Sequence, residues 1–228
     1  MKYFCLIPAR KNSTRLKNKN VLSFFKKPLI YWTIKIASKC KYFDKILVSS
    51  DNDDIKKITN KFKNVEFLKR PKNISGKNAK MENVLRHAVN HLKRKNLYYD
   101  ASVILQPTSP LRKLKTINRC CKIFSNNKYD VLTSITSLDF KSQPERTISF
   151  KKNDFVIKKF NYSYNNTKKI YKLDGGVVFI RKIKNFKNKI LSGKSKFYKI
   201  DYPEAIDIDT MFNFKQAKLF FNINDLYK

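Results

Sequence analysis

Two aspartates near the end of the chain have a spacing that can bind a metal ion. Asp207 and Asp209 lie in "AIDIDT" at residues 205–210. In an extended segment, alternate side chains point the same way about 7 Å apart, so the two carboxylates would share one face. Carboxylate oxygens are ligands for hard divalent cations such as Mg²⁺. The other interpretation is that Asp209 or Thr210 only caps the final helix, but a close acidic pair is unexpected among 17 acidic and 51 basic residues.

A cation-rich loop after the first apolar strand can bind a polyanion. It reads "IPARKNSTRLKNKN" at 7–20 and contains no glycine. Arg10 and Lys19 can neutralise a triphosphate, and Asn12, Ser13 and backbone N–H groups can add hydrogen bonds. The spacing alone leaves a solvated basic loop open as the alternative. Because glycine is absent, the sequence leaves open whether Asn12 and Ser13 make the tight turn that glycine would otherwise allow.

A third motif, "LQPTSPLR" at 105–112, stands between a predicted strand and a predicted helix. The amide of Gln106 at the strand end can bind a hydroxyl or carbonyl group of a ligand. Thr108 or Ser109 can cap the helix that follows. An ordinary capped loop explains the serine and the prolines but gives no reason for Gln106.

The elements that would position these motifs form an alternating pattern. Apolar strands are predicted at 3–7, 45–49, 65–68, 102–105 and 131–135, with helical patterns between them, and "GGVVFI" at 175–180 is expected to add another core strand. Alternating strands and helices are typical of a mostly parallel sheet covered on both faces. Asp51 is expected to cap the helix after the second strand. The loops after these strands would meet at one edge of the sheet, where open α/β sheets bind ligands.

The organisation predicted for the chain is a single domain over 1–228 with an inserted arm. The stretch at 137–172 is polar and aromatic and interrupts the strand and helix pattern, so it is interpreted as the arm. The four cysteines lack metal-site spacing and are expected to be buried thiols.

The net charge of +34 first suggests nucleic acid as a partner. The charge is mostly lysine and is spread over the whole chain, whereas specific base contacts favour arginine. Amino-acid usage under an A/T-rich codon bias explains the composition better, so specific nucleic-acid binding is not expected. No apolar run is long enough for a membrane helix, and the N-terminus lacks a secretory pattern, so we expect a cytoplasmic protein.

Taken in order, these motifs resemble the acylneuraminate cytidylyltransferase family over nearly the whole chain. The combination of "LQPTSPLR" and "IDIDT" is the most specific part of the resemblance. The resemblance implies a three-layer, Rossmann-like nucleotide-diphospho-sugar transferase fold. It also implies that CTP and a 2-keto-3-deoxy sugar acid, such as sialic acid or another nonulosonic acid, give a CMP-sugar and pyrophosphate with Mg²⁺ as cofactor.

The resemblance also implies roles for individual residues, and it makes a homodimer formed through the arm the expected assembly. The implied roles are phosphate binding by Arg10 and Lys19, cytidine contacts by Asn20 and Arg70, sugar contacts by Gln106 with Thr108 and Ser109, an acceptor contact by Arg146, and metal binding by Asp207 and Asp209. "DGG" at 174–176 departs from the Asn-Gly-Ala that is usual in the family. The alternative function is that of an inactive homologue that binds polyanions or nucleic acid through its charge.

Overall fold

The computed structural model describes residues 1–11, 13, 15–126, 128–139, 142, 149–151, 154–156, 170–184, 186 and 189–222. Twelve strands and five α-helices lie in the part of the chain that the structure describes. In chain order they are β1 (Tyr3–Pro8), β2 (Ser23–Phe24), β3 (Lys27–Pro28), α1 (Leu29–Ala37), β4 (Phe43–Ser50), α2 (Asp53–Thr59), β5 (Val65–Lys69), α3 (Met81–Arg94), β6 (Ala101–Ile104), α4 (Leu114–Ser125), β7 (Val131–Ser137), β8 (Ser149–Lys151), β9 (Asp154–Val156), β10 (Tyr171–Leu173), β11 (Phe179–Lys182), β12 (Ser195–Lys199) and α5 (Met211–Phe220).

Eight of these strands form one mixed sheet. Its order is β10-β7-β11-β6-β1-β4-β5, and β12 pairs with β7. The β10 and β11 strands run antiparallel to their neighbours, and the other pairs are parallel. The prediction of a mostly parallel sheet is therefore confirmed.

The sheet divides the apolar core into two layers, and β1 shows how. Its residues Tyr3, Cys5 and Ile7 pack in one buried cluster together with α1 and α4, whereas Phe4 and Leu6 pack in the other together with α3. Successive strand residues point to opposite faces, so a continuous apolar run places side chains in both layers. The cysteines are buried free thiols, as predicted.

The segment Asp174–Val178 corrects the strand predicted at 175–180. The observed strand β11 begins only at Phe179. Asp174 N donates to Ser134 O (2.9 Å) and Ser134 N donates to Val178 O (3.0 Å), so both ends of the segment meet one residue of β7. The residues between those two bonds leave the sheet as a bulge. We call Asp174–Val178 the glycine bulge.

A buried arginine holds the glycine bulge against the end of β6. Arg112 is 1% exposed, and its Nη2 donates to Gly176 O (2.6 Å) and to Gln106 O (2.7 Å). Its Nε also donates to Val177 O. Burying a guanidinium is favourable only when its donors are satisfied. These bonds give Arg112 its partners and explain why an apolar run departs from strand geometry.

Two of the predicted helix caps are wrong. The Asn52 side chain, one residue after Asp51, accepts from Asp54 N (2.8 Å) and caps α2. Thr108 and Ser109 precede the start of α4 by several residues, and Glu204 instead accepts from Lys113 N at 2.9 Å. In both cases a residue distant in sequence determines which side chain accepts the hydrogen bond. Asp51 accepts from Lys11 N in the first loop, and Glu204 accepts from the backbone at the start of α4.

An aromatic cluster joins the last helix to the short β2–β3 hairpin. The Trp32 ring centroid lies 4.6 Å from that of Phe221, and the Phe24 centroid lies 5.0 Å from it. Trp32 Nε1 donates to Phe24 O (2.8 Å), which satisfies the buried indole. The end of α5 is thereby anchored beside the β2–β3 hairpin.

The predicted arm lies mostly outside the described residues. At its borders, Ser137 still belongs to β7 and Tyr171 begins β10. Within it, β8 and β9 pair as an antiparallel hairpin. The single-domain assignment and the arm stay predictions. No helix in the described ranges is long and apolar enough to span a bilayer.

Candidate active site

A cavity of about 270 Å³ lies where the loops after β1, β5 and β6 meet. We call it the cation cavity, because arginine and lysine side chains form much of its wall. Its lining comprises Pro8, Arg10, Ser13, Arg15, Lys19, Asn20, Arg70, Lys77, Ala79, Met81, Val84, Gln106, Pro107, Thr108 and Asp209. Three of the loops that the sequence predicts at one edge of the sheet, those after β1, β5 and β6, therefore meet at this cavity.

Lys19 connects the first loop to the acidic segment near the end of the chain. Its Nζ donates to Ile208 O (2.6 Å) and to Asp209 Oδ1 (2.9 Å), and the residue is only 9% exposed. Arg15 Nη2 lies 2.7 Å from the other oxygen, Asp209 Oδ2. Both oxygens of this carboxylate therefore face a cation. Arg15 was not among the predicted site residues.

The first loop makes its turn at an asparagine. Asn18 adopts the left-handed conformation, with φ 54°, immediately before a 3₁₀ turn at Lys19–Val21. Asparagine tolerates this conformation better than most residues do. Ser13 lies on the cavity wall and Asn12 lies outside the described residues, so the question of a tight turn at these two residues stays open.

Two further hydrogen bonds hold the first loop in place, one within the loop and one to Asp51. Asn20 Nδ2 donates to Arg10 O (3.0 Å), and Asp51 Oδ1 accepts from Lys11 N (2.7 Å). Asn20 therefore braces the backbone that carries Arg10. Asp51, predicted as a helix cap, instead anchors the loop to the end of β4.

Arg10 and Arg70 supply fixed positive charge on the wall of the cation cavity. Arg10 Nη1 donates to Gly76 O (3.0 Å). Arg70 is 5% exposed, and its Nη2 donates to Ser49 O at 2.8 Å. Burial lowers the pKa of Arg70 to about 10, so it remains charged at neutral pH. Cations held by backbone oxygens are preorganised for an anionic ligand.

The remaining wall comes from "QPTS" and the glycine bulge. Gln106 and Thr108 line the cation cavity, whereas Ser109 is fully buried behind them. A Cβ added at Gly176 would lie 2.9 Å from Ser109 Oγ and 3.7 Å from Asp207 Oδ1. The absence of a side chain at Gly176 allows the bulge to approach both groups.

Several buried polar atoms in this region have no hydrogen-bond partner among the described residues. They are Thr108 Oγ1, Ser109 Oγ, Asp174 Oδ2 and Asp207 Oδ1. Burial raises the pKa of Asp174 to about 6, Lys172 opposes the rise, and Asp207 adds to it. Buried polar atoms are normally paired, so these four atoms are available to water, an ion or a polar ligand.

A second cavity, of about 410 Å³, lies on the other side of Asp209. We call it the carboxylate cavity, since Asp207 and Asp209 both line it. Ile206 and Ile208 are buried whereas Asp207 and Asp209 are partly exposed, so the predicted alternation of burial is present, and Ile206 also touches the cavity. Thr210, and not Asp209, caps α5 by accepting from Asn213 N at 3.3 Å.

The donor set here fits Mg²⁺ bound together with phosphate. Within the described ranges, no group of three or more His, Cys, Asp or Glu residues forms a closed metal cage. Mg²⁺ commonly binds one or two carboxylates and completes its shell with phosphate oxygens and water. Asp207 offers an unpaired buried oxygen, and Asp209 borders both cavities.

The structure brings most of the predicted site residues together. Those on the wall of the cation cavity are Arg10, Ser13, Lys19, Asn20, Arg70, Gln106, Thr108 and Asp209. Asp207 and Ser109 lie beside it, and Asn12 and Arg146 lie outside the described residues. Arg15, Arg112 and Asp174 were not predicted from the sequence, because their contacts depend on residues far along the chain.

The chain is an α/β protein with a cation-lined cavity at one edge of its mixed sheet. The same fold occurs in the solved structure of CMP:2-keto-3-deoxy-manno-octonic acid synthetase complexed with CTP. That chain superposes with a TM-score of 0.71 at 13% identity, covering 96% of this chain and 98% of the other. The Rossmann-like nucleotide-diphospho-sugar transferase fold is thereby confirmed.

A family model described as cytidylyltransferase matches residues 4–220. The chain belongs to the cytidylyltransferase family. An N-acylneuraminate cytidylyltransferase of Escherichia coli is 30% identical over 225 residues, which cover 95% of this chain. A pseudaminic acid cytidylyltransferase of Campylobacter jejuni is 28% identical and covers 98% of both chains. This chain spans about half the length (51%) of the E. coli relative.

These relatives confirm the resemblance predicted from the sequence motifs. They give no support to the alternative of an inactive polyanion-binding homologue.

Proposed function

We propose that the protein is a CTP-dependent nucleotidyltransferase that converts a nonulosonic acid into its CMP-sugar and releases pyrophosphate. The observation that carries this proposal is the meeting of the cation cavity with the Asp207–Asp209 segment, at the edge of a cytidylyltransferase fold. Such a site suits a triphosphate that requires both fixed cations and a divalent metal.

In this proposal the cation cavity binds CTP. Arg10 and Lys19 face the triphosphate, and Asn20 and Arg70 lie on the cytidine side. Because their donors are already held by backbone oxygens, little rearrangement is needed when negative charge develops on the leaving pyrophosphate. Ser13 is placed to donate to a phosphate oxygen from the cavity wall.

The acceptor sugar lies toward Gln106 and Thr108, which line the cation cavity, with the unpaired hydroxyl of Ser109 buried behind them. Its anomeric hydroxyl oxygen attacks the α-phosphorus of CTP, and the bond from that phosphorus to the oxygen bridging it to the β-phosphate breaks. Pyrophosphate leaves, and the hydroxyl proton passes to solvent. The chain contributes by holding the two substrates in line, which lowers the barrier through orientation. Arg146, the expected acceptor contact, stays a prediction.

Asp207 and Asp209 would hold Mg²⁺ in this proposal. Bound there, the metal would supply a Lewis acid that stabilises the negative charge on the phosphate oxygens. The Lys19 contact to Asp209 orients that carboxylate before metal and nucleotide arrive. A cytoplasmic homodimer remains the expected form of the enzyme.

The relatives support a nine-carbon acceptor through their names, which include N-acylneuraminate, pseudaminic acid and diacetyllegionaminic acid. The test is pyrophosphate release by purified protein with CTP, Mg²⁺ and a panel of these acids, with octulosonate as the eight-carbon comparison. We expect turnover with at least one nine-carbon acid and with CTP in preference to ATP, GTP or UTP. Absence of pyrophosphate with every acceptor would contradict the proposal.

A further inference from the structure

The carboxylate of Asp209 is paired with two cations, and these two cations differ in how firmly they are held. Arg15 Nη2 lies 2.7 Å from Asp209 Oδ2, and Lys19 Nζ lies 2.9 Å from Asp209 Oδ1. The Arg15 side chain is 68% exposed, whereas the Lys19 side chain is only 11% exposed. One cation therefore lies at the surface and the other lies inside the protein.

The surroundings of the two cations show that Arg15 is the one able to leave. Lys19 Nζ also donates to Ile208 O at 2.6 Å, so a backbone oxygen keeps it in place. Arg15 makes no second hydrogen bond or ion pair to the described residues. An exposed ion pair contributes little to folding, because solvent screening and side-chain entropy offset most of the attraction. The guanidinium can therefore exchange Asp209 for another anion with little effect on the stability of the fold.

Arg15 pairs with the same carboxylate that the proposed metal requires. A divalent cation bound to Asp209 would lie close to the guanidinium, and like charges at short range repel each other. Asp207, the other proposed ligand, has a buried oxygen with no partner among the described residues. The two proposed metal ligands thus differ in the free protein, since Asp207 is open and Asp209 is already neutralised.

The position of Arg15 also gives it a second anion to bind. Arg15 lines the cation cavity together with Arg10 and Arg70. A guanidinium released from Asp209 would stay on the wall where the triphosphate is proposed to bind. The planar guanidinium suits phosphate oxygens as well as carboxylates. Rotation of one exposed side chain is enough to change its partner.

We propose that Arg15 is an exchangeable counter-ion, which neutralises Asp209 in the free protein and passes to the phosphates when metal and nucleotide bind. This inference rests on the proposed function and adds a control of its metal site. Arg15 weakens metal binding to the free protein and strengthens nucleotide binding to the metal-loaded protein. The metal therefore binds tightly only together with the nucleotide.

The first test measures metal binding to Arg15→Ala without nucleotide. Mn²⁺ is the probe, because it accepts the same oxygen ligands as Mg²⁺ and its unbound form is counted by electron paramagnetic resonance. We expect Arg15→Ala to bind Mn²⁺ roughly tenfold more tightly than the wild type, since the competing cation is gone. Lys17→Ala is the matched control, because Lys17 is an exposed cation of the same loop that does not line the cavity. It should bind Mn²⁺ as the wild type does.

The second test measures CTP binding by calorimetry at saturating Mn²⁺ and without an acceptor. Arg15→Ala should bind CTP roughly tenfold more weakly than the wild type, and Lys17→Ala should bind it equally well. A residue that only contacts phosphate would leave the Mn²⁺ affinity of the free protein unchanged. A residue with only a structural role would weaken both ligands. Changes of opposite sign are therefore specific to the exchange.

The contrary outcomes separate this inference from the proposed function. Mn²⁺ affinity in Arg15→Ala that equals or falls below that of the wild type would overturn the inference, as would Mn²⁺ binding that is unchanged in Asp209→Ala. Tighter Mn²⁺ binding with unchanged CTP affinity would overturn the transfer to the phosphates. Pyrophosphate release by the wild type tests the proposed function separately. Absence of Mn²⁺ binding to the wild type, with and without CTP, together with absence of turnover, would overturn both.

Discussion

The cation cavity and the carboxylate cavity share Asp209 but differ in how their charged groups are paired. In the cation cavity, Arg10, Lys19 and Arg70 each donate to a backbone oxygen. In and beside the carboxylate cavity, Asp174 Oδ2 and Asp207 Oδ1 are buried with no partner in the described part of the chain. These three cations of the cation cavity are thus paired before any ligand binds. The carboxylate side buries acceptors at a cost that a bound cation or hydroxyl would offset.

This difference predicts that changes on the two sides have different consequences. On the cation side, the donors are also part of the local structure, and their loss should reduce affinity and turnover for the nucleotide. On the carboxylate side, replacing an unpaired buried acid should raise the free energy of unfolding of the free protein, because the cost of burying that charge is removed.

The largest effect is expected from Asp209→Ala, because Asp209 belongs to both cavities. The variant loses a proposed metal ligand and the partner of Lys19, so kcat/KM for CTP should fall about a thousandfold. Pyrophosphate release at varied Mg²⁺ measures this, and circular dichroism should show that the variant remains folded.

Asp201→Ala is the matched control for that variant. Asp201 is an exposed aspartate whose carboxylate lies 3.2 Å from Lys199 Nζ, and it lines neither cavity. It should retain wild-type activity. Unchanged Mg²⁺-dependent activity in Asp209→Ala would contradict the assignment of Asp209 as a metal ligand.

A smaller effect is expected from Lys19→Ala, which removes a cation of the first loop together with its contact to Asp209. Losing one positioned donor to a phosphate typically costs about a hundredfold in turnover. Lys17→Ala provides the comparison within the same loop, because Lys17 is exposed and absent from the cavity wall. Steady-state kinetics should show Lys17→Ala within about twofold of wild type. Equal losses in the two variants would mean that the loop acts only through its net charge.

The smallest effect is expected from Asp174→Asn, and it is a gain in stability. Burial raises the pKa of Asp174 from 3.8 to about 6, so the ionised carboxylate destabilises the fold above pH 6. The amide cannot ionise, so the free energy of unfolding at pH 7.5 should rise by about 2 kcal/mol. The gain should disappear near pH 4, where the wild-type carboxyl is protonated in the folded state.

Urea unfolding at the two pH values measures this difference. Asp201→Asn, on an exposed carboxylate, should show little change at either pH. A gain that is the same at both pH values would show that ionisation of Asp174 is not its cause.

The sequence predicted the regular parts of the fold because their signals are local. The strands predicted at 3–7, 45–49, 65–68, 102–105 and 131–135 all lie within two residues of their observed bounds. The alternation at Ile206–Asp209 was predicted for the same reason, since a period of two is visible in any short segment.

The errors all arise where a distant residue decides the local conformation. The run "GGVVFI" is apolar enough for a strand, but Arg112 pulls Gly176 and Val177 out of the sheet from more than 60 residues away. Asp51 and Asn52 are both suitable caps, and the first loop takes Asp51. No local pattern distinguishes between these outcomes, because the competing partner belongs to another part of the chain.

The aromatic cluster around Trp32 gives the site a built-in optical reporter. Trp32 is the chain's only tryptophan and is 5% exposed. Its ring lies against Phe221 at the end of α5, the helix that directly follows the "AIDIDT" segment. Emission of the unlabelled protein therefore comes from a single indole, and its wavelength and quenching report how the last helix is seated. Titrating CTP or Mg²⁺ while recording that emission would follow the acidic segment without any added label.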